Sequence, residues 1–220
     1  MSDLSTRLAP EQLSSVYLRL VADESVPEEA RPQFHYLRRL ATDLLVGCVL
    51  DGPESVRLLD DRDVAGLGWG ELSAAGRSNL LAEPVDHHLV DRPGGAVLHL
   101  LGHPESVFAA SKLLVFEEAV RAAGGPAIPD EGVLLVVPNR HNLVFYPLAD
   151  RHVAEAVNSL AMFAQGAYED GPGRLSPRVF WWRAGELTSI THVDPETRTA
   201  SIVPPEELMA IMRRLVDATD

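Results

Sequence analysis

Three histidines are the first residues in this chain that could do chemistry. His87, His99 and His103 share one parity across two apolar segments, Val85–Val90 and Ala96–Leu101, joined by Asp91-Arg92-Pro93-Gly94-Gly95. If that loop closes a hairpin with Val90 opposite Ala96, His87 lies directly across from His99. Such partners have Cβ atoms about 4.5–5.5 Å apart, within reach of a shared metal. His103 follows beyond the strand end as a third donor, and zinc takes three or four. One reading is therefore a metal-dependent enzyme, a hydrolase, built on His87, His99 and His103. Against it, the same face carries Val85, Leu89, Val97 and Leu101, and no HExxH, CxxC or His-x-His motif occurs. The expectation adopted is a pair of half-buried, cross-strand histidines with no metal and no cofactor.

Other reactive groups lead to structural roles. Cys48, the single cysteine, sits inside the apolar run Leu44–Leu50, which suits a buried, inert thiol. Asp60, Asp61 and Asp63 precede a helical stretch and read as turn and cap residues. Gly124-Gly125-Pro126 follows a helix, where a stop belongs. No G-x-S-x-G elbow, Walker sequence or G-x-G-x-x-G is present. Lys112 is the only lysine; its neighbours at helical spacing are apolar, so a snorkelling ammonium is expected. Trp181 and Trp182 are adjacent on a strand and face opposite sides. Either both faces are covered, or Trp182 is an exposed interface anchor.

Composition bounds the setting. The 220 residues carry 19 basic and 32 acidic side chains, a net charge of −13. That balance disfavours nucleic acid and an anionic membrane surface as partners. Apolar residues make up 46% and charged residues 23%, an ordinary globular proportion. No apolar run approaches a membrane span and Met1–Leu20 has no signal-like core, so a cytoplasmic protein is expected.

Periodicity gives the elements that must position these groups. Leu13, Val16, Tyr17 and Leu20 follow Pro10 at helical spacing, which predicts an N-terminal helix. A proline- and glutamate-bearing stretch, 21–34, reads as a linker, so residues 1–34 are expected to stand apart from a single domain over 35–220. Within that domain, strand-like pairs recur: Leu44–Leu50 with Ser55–Leu59, Val85–Val90 with Ala96–Leu101, and Gly132–Val137 with Asn142–Tyr146. Arg178–Arg183, Glu186–His192 and Thr197–Val203 read as three further strands. Helices are predicted near Glu71–Ala82, over Ser106–Ala123, after Asp150 and after Pro205. The predicted class is α+β: repeated β-hairpin–helix units forming an antiparallel or mixed sheet with packed helices.

Asn79-Leu80 at a helix end, the Ser111-bearing segment and Val136-Val137-Pro138-Asn139-Arg140 resemble the bacterial YtpQ-like family of uncharacterised domains. The family tends to show a proline, a small polar residue and an arginine at such a strand end. An aspartate often follows there, where this chain has His141. The resemblance spans about residues 40–150. It implies an α+β fold and a cytoplasmic bacterial protein, and no activity.

The turn Asn139-Arg140-His141-Asn142 joins two strands that look fully buried. Turn formers alone would suffice there; an arginine and a histidine add a cation and a tunable donor or acceptor. Arg140 is expected to face any ligand, with His141 and Asn139 beside it and Asn79 as a weaker candidate. The competing reading is an arginine that caps carbonyls or pairs with a carboxylate. With no catalytic motif, the leading expectation is a non-catalytic protein-binding or regulatory module. An immunity-type inhibitor, covering a basic toxin with its acidic surface, is a further alternative.

Overall fold

The computed structural model describes residues 8–53, 55–194, 196–197 and 199–218. It has the α+β class, with antiparallel sheets. The chain divides into two compact units, Met1–Pro84 and Val85–Asp220.

The first unit is organised by β3 (Leu44–Asp51), an apolar strand that needs partners on both edges. It pairs antiparallel with β1 (Val16–Ala22), β2 (Arg38–Ala41) and β4 (Val56–Leu58). The N-terminal helix expected over 13–20 is therefore absent. Pro10–Ser15 forms a 3-10 turn and Val16 starts β1. Val-Tyr-Leu-Arg-Leu fits both a helical stripe and a period of two. Pairing of Val16–Ala22 with Leu44–Leu50 decides for the strand. For the same reason the expected 34/35 boundary does not hold for the described residues: it would cut β1 from its sheet.

Two helices follow, α1 (Asp61–Leu67) and α2 (Trp69–Ala82). Asp60 caps α1 by accepting from the amides of Arg62 and Asp63. Asp63 accepts from Arg57 at 2.6 Å, and Asp61 from the amides of His35 and Tyr36. Burial raises the Asp63 carboxyl, but Arg57 and the Asp60 amide outweigh it and hold the group below the usual range. The acidic cluster is consumed by these structural contacts. Gly76 of α2 lies over β1, where an added Cβ would come within 2.7 Å of the Leu18 amide nitrogen.

The second unit is built on a six-stranded antiparallel sheet. Its strands are β5 (Asp86–Asp91), β6 (Val97–Gly102), β7 (Val133–Val136), β8 (Leu143–Pro147), β9 (Phe180–Arg183) and β10 (Glu186–Ser189). Their order is β10-β9-β7-β8-β6-β5. All four residues of β7 are buried, as expected for a central strand whose two faces are both apolar. One face packs Leu134, Val136, Val144, Tyr146 and Trp181 against α4 (Val153–Asp170) and α5 (Glu206–Asp217). Asp150 accepts from Tyr146 Oη at 2.5 Å and from the His152 amide just ahead of α4.

The opposite face carries a row of rings. Phe145 meets Phe116 at 5.1 Å between centroids, and Phe116 meets Trp182 at 5.0 Å. Phe116 starts the short helix α3 (Phe116–Ala122), and Ala110–Val115 before it is a 3-10 segment. The single long helix expected over 106–123 is thus broken. Val115 leaves helical geometry, and the Ala110 amide donates out of the segment, to the Arg140 carbonyl at 3.1 Å. A separate two-stranded ribbon, β11 (Thr191–Val193) with β12 (Ala200–Ile202), precedes α5.

Candidate functional site

The β7–β8 turn is held by its own side chains before anything else touches it. Asn139, 2% exposed, accepts on Oδ1 from the His141 amide at 3.0 Å and from Asn142 Nδ2 at 2.9 Å. Its Nδ2 donates to the Ala167 carbonyl in the last turn of α4 at 2.8 Å. A buried amide that fills both its donor and acceptor sides specifies the turn strongly, because any lost bond leaves a desolvated polar group. Asn139 is therefore a positioning residue. Three of its four side-chain hydrogen-bonding positions serve the turn and α4.

A second chain segment brackets the turn. Residues 173–176 run antiparallel to 137–140, with Arg140 N donating to Gly173 O and Leu175 N to Pro138 O, both at 2.9 Å. Asn139 bridges Arg174. Two glycines make this approach possible. An added Cβ at Gly171 would fall 2.1 Å from Asn139 Nδ2. At Gly173, whose φ is +69°, it would fall 2.8 Å from Arg140 Cδ. The Gly-Pro-Gly of residues 171–173 was the available sequence signal for this clamp; composition alone reads it as a loop.

Arg140 is half-buried and anchored on one side only. Its Nε donates to His141 Nε2 at 2.9 Å, and His141 Nδ1 lies 3.1 Å from the Ser106 carbonyl. The two bonds together assign the ring: Nδ1–H donates to Ser106, and Nε2 is the bare acceptor for Arg140. The guanidinium is thereby fixed in plane with its two terminal nitrogens uncommitted. Among the described residues, no carboxylate or carbonyl engages Nη1 or Nη2 of Arg140. Arg174, one bridge away in the chain path, donates to the Glu169 carbonyl at 2.8 Å and lies over the Tyr168 ring, again with no described carboxylate. An arginine held through Nε presents its paired terminal amines as a bidentate donor for a planar anion.

The remaining expected site residues go elsewhere. Asn79 donates to the carbonyls of Leu13 at 2.8 Å and Val16 at 2.7 Å, and so fastens the start of β1 to α2 in the first unit. It belongs to a different unit from Arg140. Trp182 is 7% exposed, as is Trp181. It is not an interface anchor: Phe116 covers one face of β9, and the α4–α5 core covers the other.

The β5–β6 hairpin is paired two residues out of the expected register. His87 opposes Leu101 and His99 opposes Leu89, because Arg92 N bonds Ala96 O and closes the turn inside Asp91↔Val97. The even shift preserves the face, so the two rings still meet, diagonally, with His87 Nε2 2.8 Å from His99 Nδ1. His99 also stacks on Phe145 at 5.0 Å, which makes the pair the open end of the aromatic row. His103 is not brought in; its Nδ1 accepts from the Glu105 amide at 3.3 Å in the following turn. Among the described residues, no group of three or more His, Cys, Asp or Glu is placed to hold a metal ion. No described helix is long and apolar enough to cross a membrane.

Comparison with protein-family models, curated proteins and solved structures finds no match to this chain.

Proposed function

We propose that the chain is a non-catalytic binding module whose Arg140 turn receives a carboxylate of a protein partner. The observation that carries this reading is the half-committed guanidinium. Arg140 is oriented by His141, propped on Gly173, and meets no carboxylate among the described residues in a chain of net charge −13. In so acidic a protein a structural arginine has many carboxylates to pair with, and several do, such as Arg57 with Asp63 and Arg31 and Arg39 with Asp23. Leaving this one open while spending a histidine on its orientation is the arrangement of a recognition group.

The test is partner capture with tagged full-length protein, wild type against Arg140→Ala and Arg140→Lys. Lost capture in both variants at an unchanged melting temperature supports the reading. The lysine keeps the charge but cannot form the planar two-point contact. Capture that survives in a folded Arg140→Ala protein overturns it.

A further inference from the structure

A groove of about 500 Å³ lies between α4 and the β11–β12 ribbon, and it shares no residue with the Arg140 turn. Its helical wall is Ala161, Met162, Gln165, Gly166 and Glu169, one face of α4 at i, i+1, i+4, i+5 and i+8. Met162 stands in this wall at 72% exposure, the most exposed of the described large apolar side chains. A thioether placed so openly on an apolar wall is an adaptable contact surface.

The floor is the ribbon. Thr191, Ala200 and Ile202 share one face of it, while Ser201 has the opposite parity and also lines the groove. The groove therefore borders β12 on both parities, and β12 has an outer side turned away from β11. That side is an unpaired strand edge, and the hydrogen-bond alternation shows which groups it offers. Val203 N bonds Ile190 O, and Asp194 N bonds Thr199 O, so the pairs 190–203 and 194–199 are the hydrogen-bonded ones. With the ribbon's register, Thr191↔Ile202 and Val193↔Ala200 are then the non-bonded pairs. The N–H and C=O groups of Ala200 and Ile202 consequently point away from β11. No described group meets them.

Two alternate backbone positions on a free edge, beside an apolar trough, are complementary to one thing: another extended backbone with apolar side chains at every second residue. Charge sets the rest. Glu169 closes the wall with a carboxylate that accepts from Gln165 and, among the described residues, forms no ion pair. We propose that this groove binds an extended peptide segment of a partner protein by strand addition to β12. The peptide's apolar side chains lie against Met162 and Ala161, and a lysine or arginine meets Glu169.

The experiment selects short random peptides, displayed on phage, against the full chain, and measures the enriched sequences as labelled synthetic peptides by fluorescence anisotropy. Three variants are compared: Met162→Glu, Glu169→Gln and Ala200→Pro. Ala200 and Met162 are exposed, so their replacement leaves the core intact, and circular dichroism confirms a folded chain. Proline at 200 removes an outward N–H without touching the β11 ladder. The expected result is enrichment of alternating apolar peptides carrying a basic residue. Their affinity should fall about tenfold or more in Met162→Glu and in Ala200→Pro. Glu169→Gln should remove the preference for the basic residue. No enrichment overturns the proposal, as does affinity retained in either Met162→Glu or Ala200→Pro. A wild-type dimer on sedimentation that Ala200→Pro dissociates also overturns it, by making a second copy of the chain the occupant.

Discussion

His87 Nε2 and His99 Nδ1 lie 2.8 Å apart across β5 and β6 although the two residues are diagonal, not opposite, neighbours. A hydrogen bond between two imidazoles needs one bare nitrogen, so the pair is intact only while at least one ring is neutral. Burial, and then the neighbouring His87, pushes His99 down to about 4; burial and His88 lower His87.

The consequence is an acid-sensitive hairpin. His99 takes up its proton near pH 4 in the folded protein and near 6.5 when unfolded, so the unfolded chain binds more protons between those values. Stability therefore falls as pH drops from about 6.5 towards 4, by about 1–2 kcal/mol after allowance for solvent screening. His99→Phe keeps the stack on Phe145 and removes the titration. Urea melts at pH 7 and pH 5 should show a smaller difference in the variant than in the wild type; equal differences would refute the assignment.

Asn139→Ala should cost much more stability than Arg140→Ala. The asparagine bonds three partners at 2% exposure, and its loss takes the acceptor from the His141 amide and loosens the turn. About 2–4 kcal/mol is expected from several buried hydrogen bonds lost together. Arg140→Ala removes one side-chain bond at a half-buried site and should cost under about 1 kcal/mol. Comparable losses from chemical denaturation of the two variants would contradict this division between a positioning residue and a recognition residue.

Cys48 should resist thiol reagents in the native state. It has no exposed surface, and burial pushes its thiol up to about 12. Labelling by an aromatic disulfide at pH 8 should proceed only at the rate of unfolding, and prompt stoichiometric release of the chromophore would show the β3 core to be open.

Trp182→Ala should destabilise the second unit by about 3–5 kcal/mol, as expected for an aromatic cavity in a packed layer. The ring is 7% exposed and set against Phe116 at 5.0 Å. Its fluorescence should show little quenching by iodide in the wild type. A mild loss, under about 1 kcal/mol, would place it instead at an uncovered surface.

The sequence by itself determined what is locally encoded. Period-two runs bounded by Gly, Pro and Asp marked β3, β5–β8 and β9, and apolar runs on both parities identified β7 as central. The Asp60 cap and the inert Cys48 were legible in the same way, as was the shared face of His87 and His99, since parity survives an even change of register. Tertiary structure decided what depends on a distant partner. Val16–Ala22 satisfies helical and strand spacing alike, and became a strand because β3 had an edge to fill. Trp182 lost its candidacy for an interface to Phe116, 66 positions earlier in the chain. Arg140 kept its candidacy through Ser106 and Gly173, whose partners residue order does not name: one supplies a carbonyl, the other the absence of a Cβ within a run that reads only as a loop. Backbone groups and missing atoms are invisible to residue patterns, and they are what orient this guanidinium.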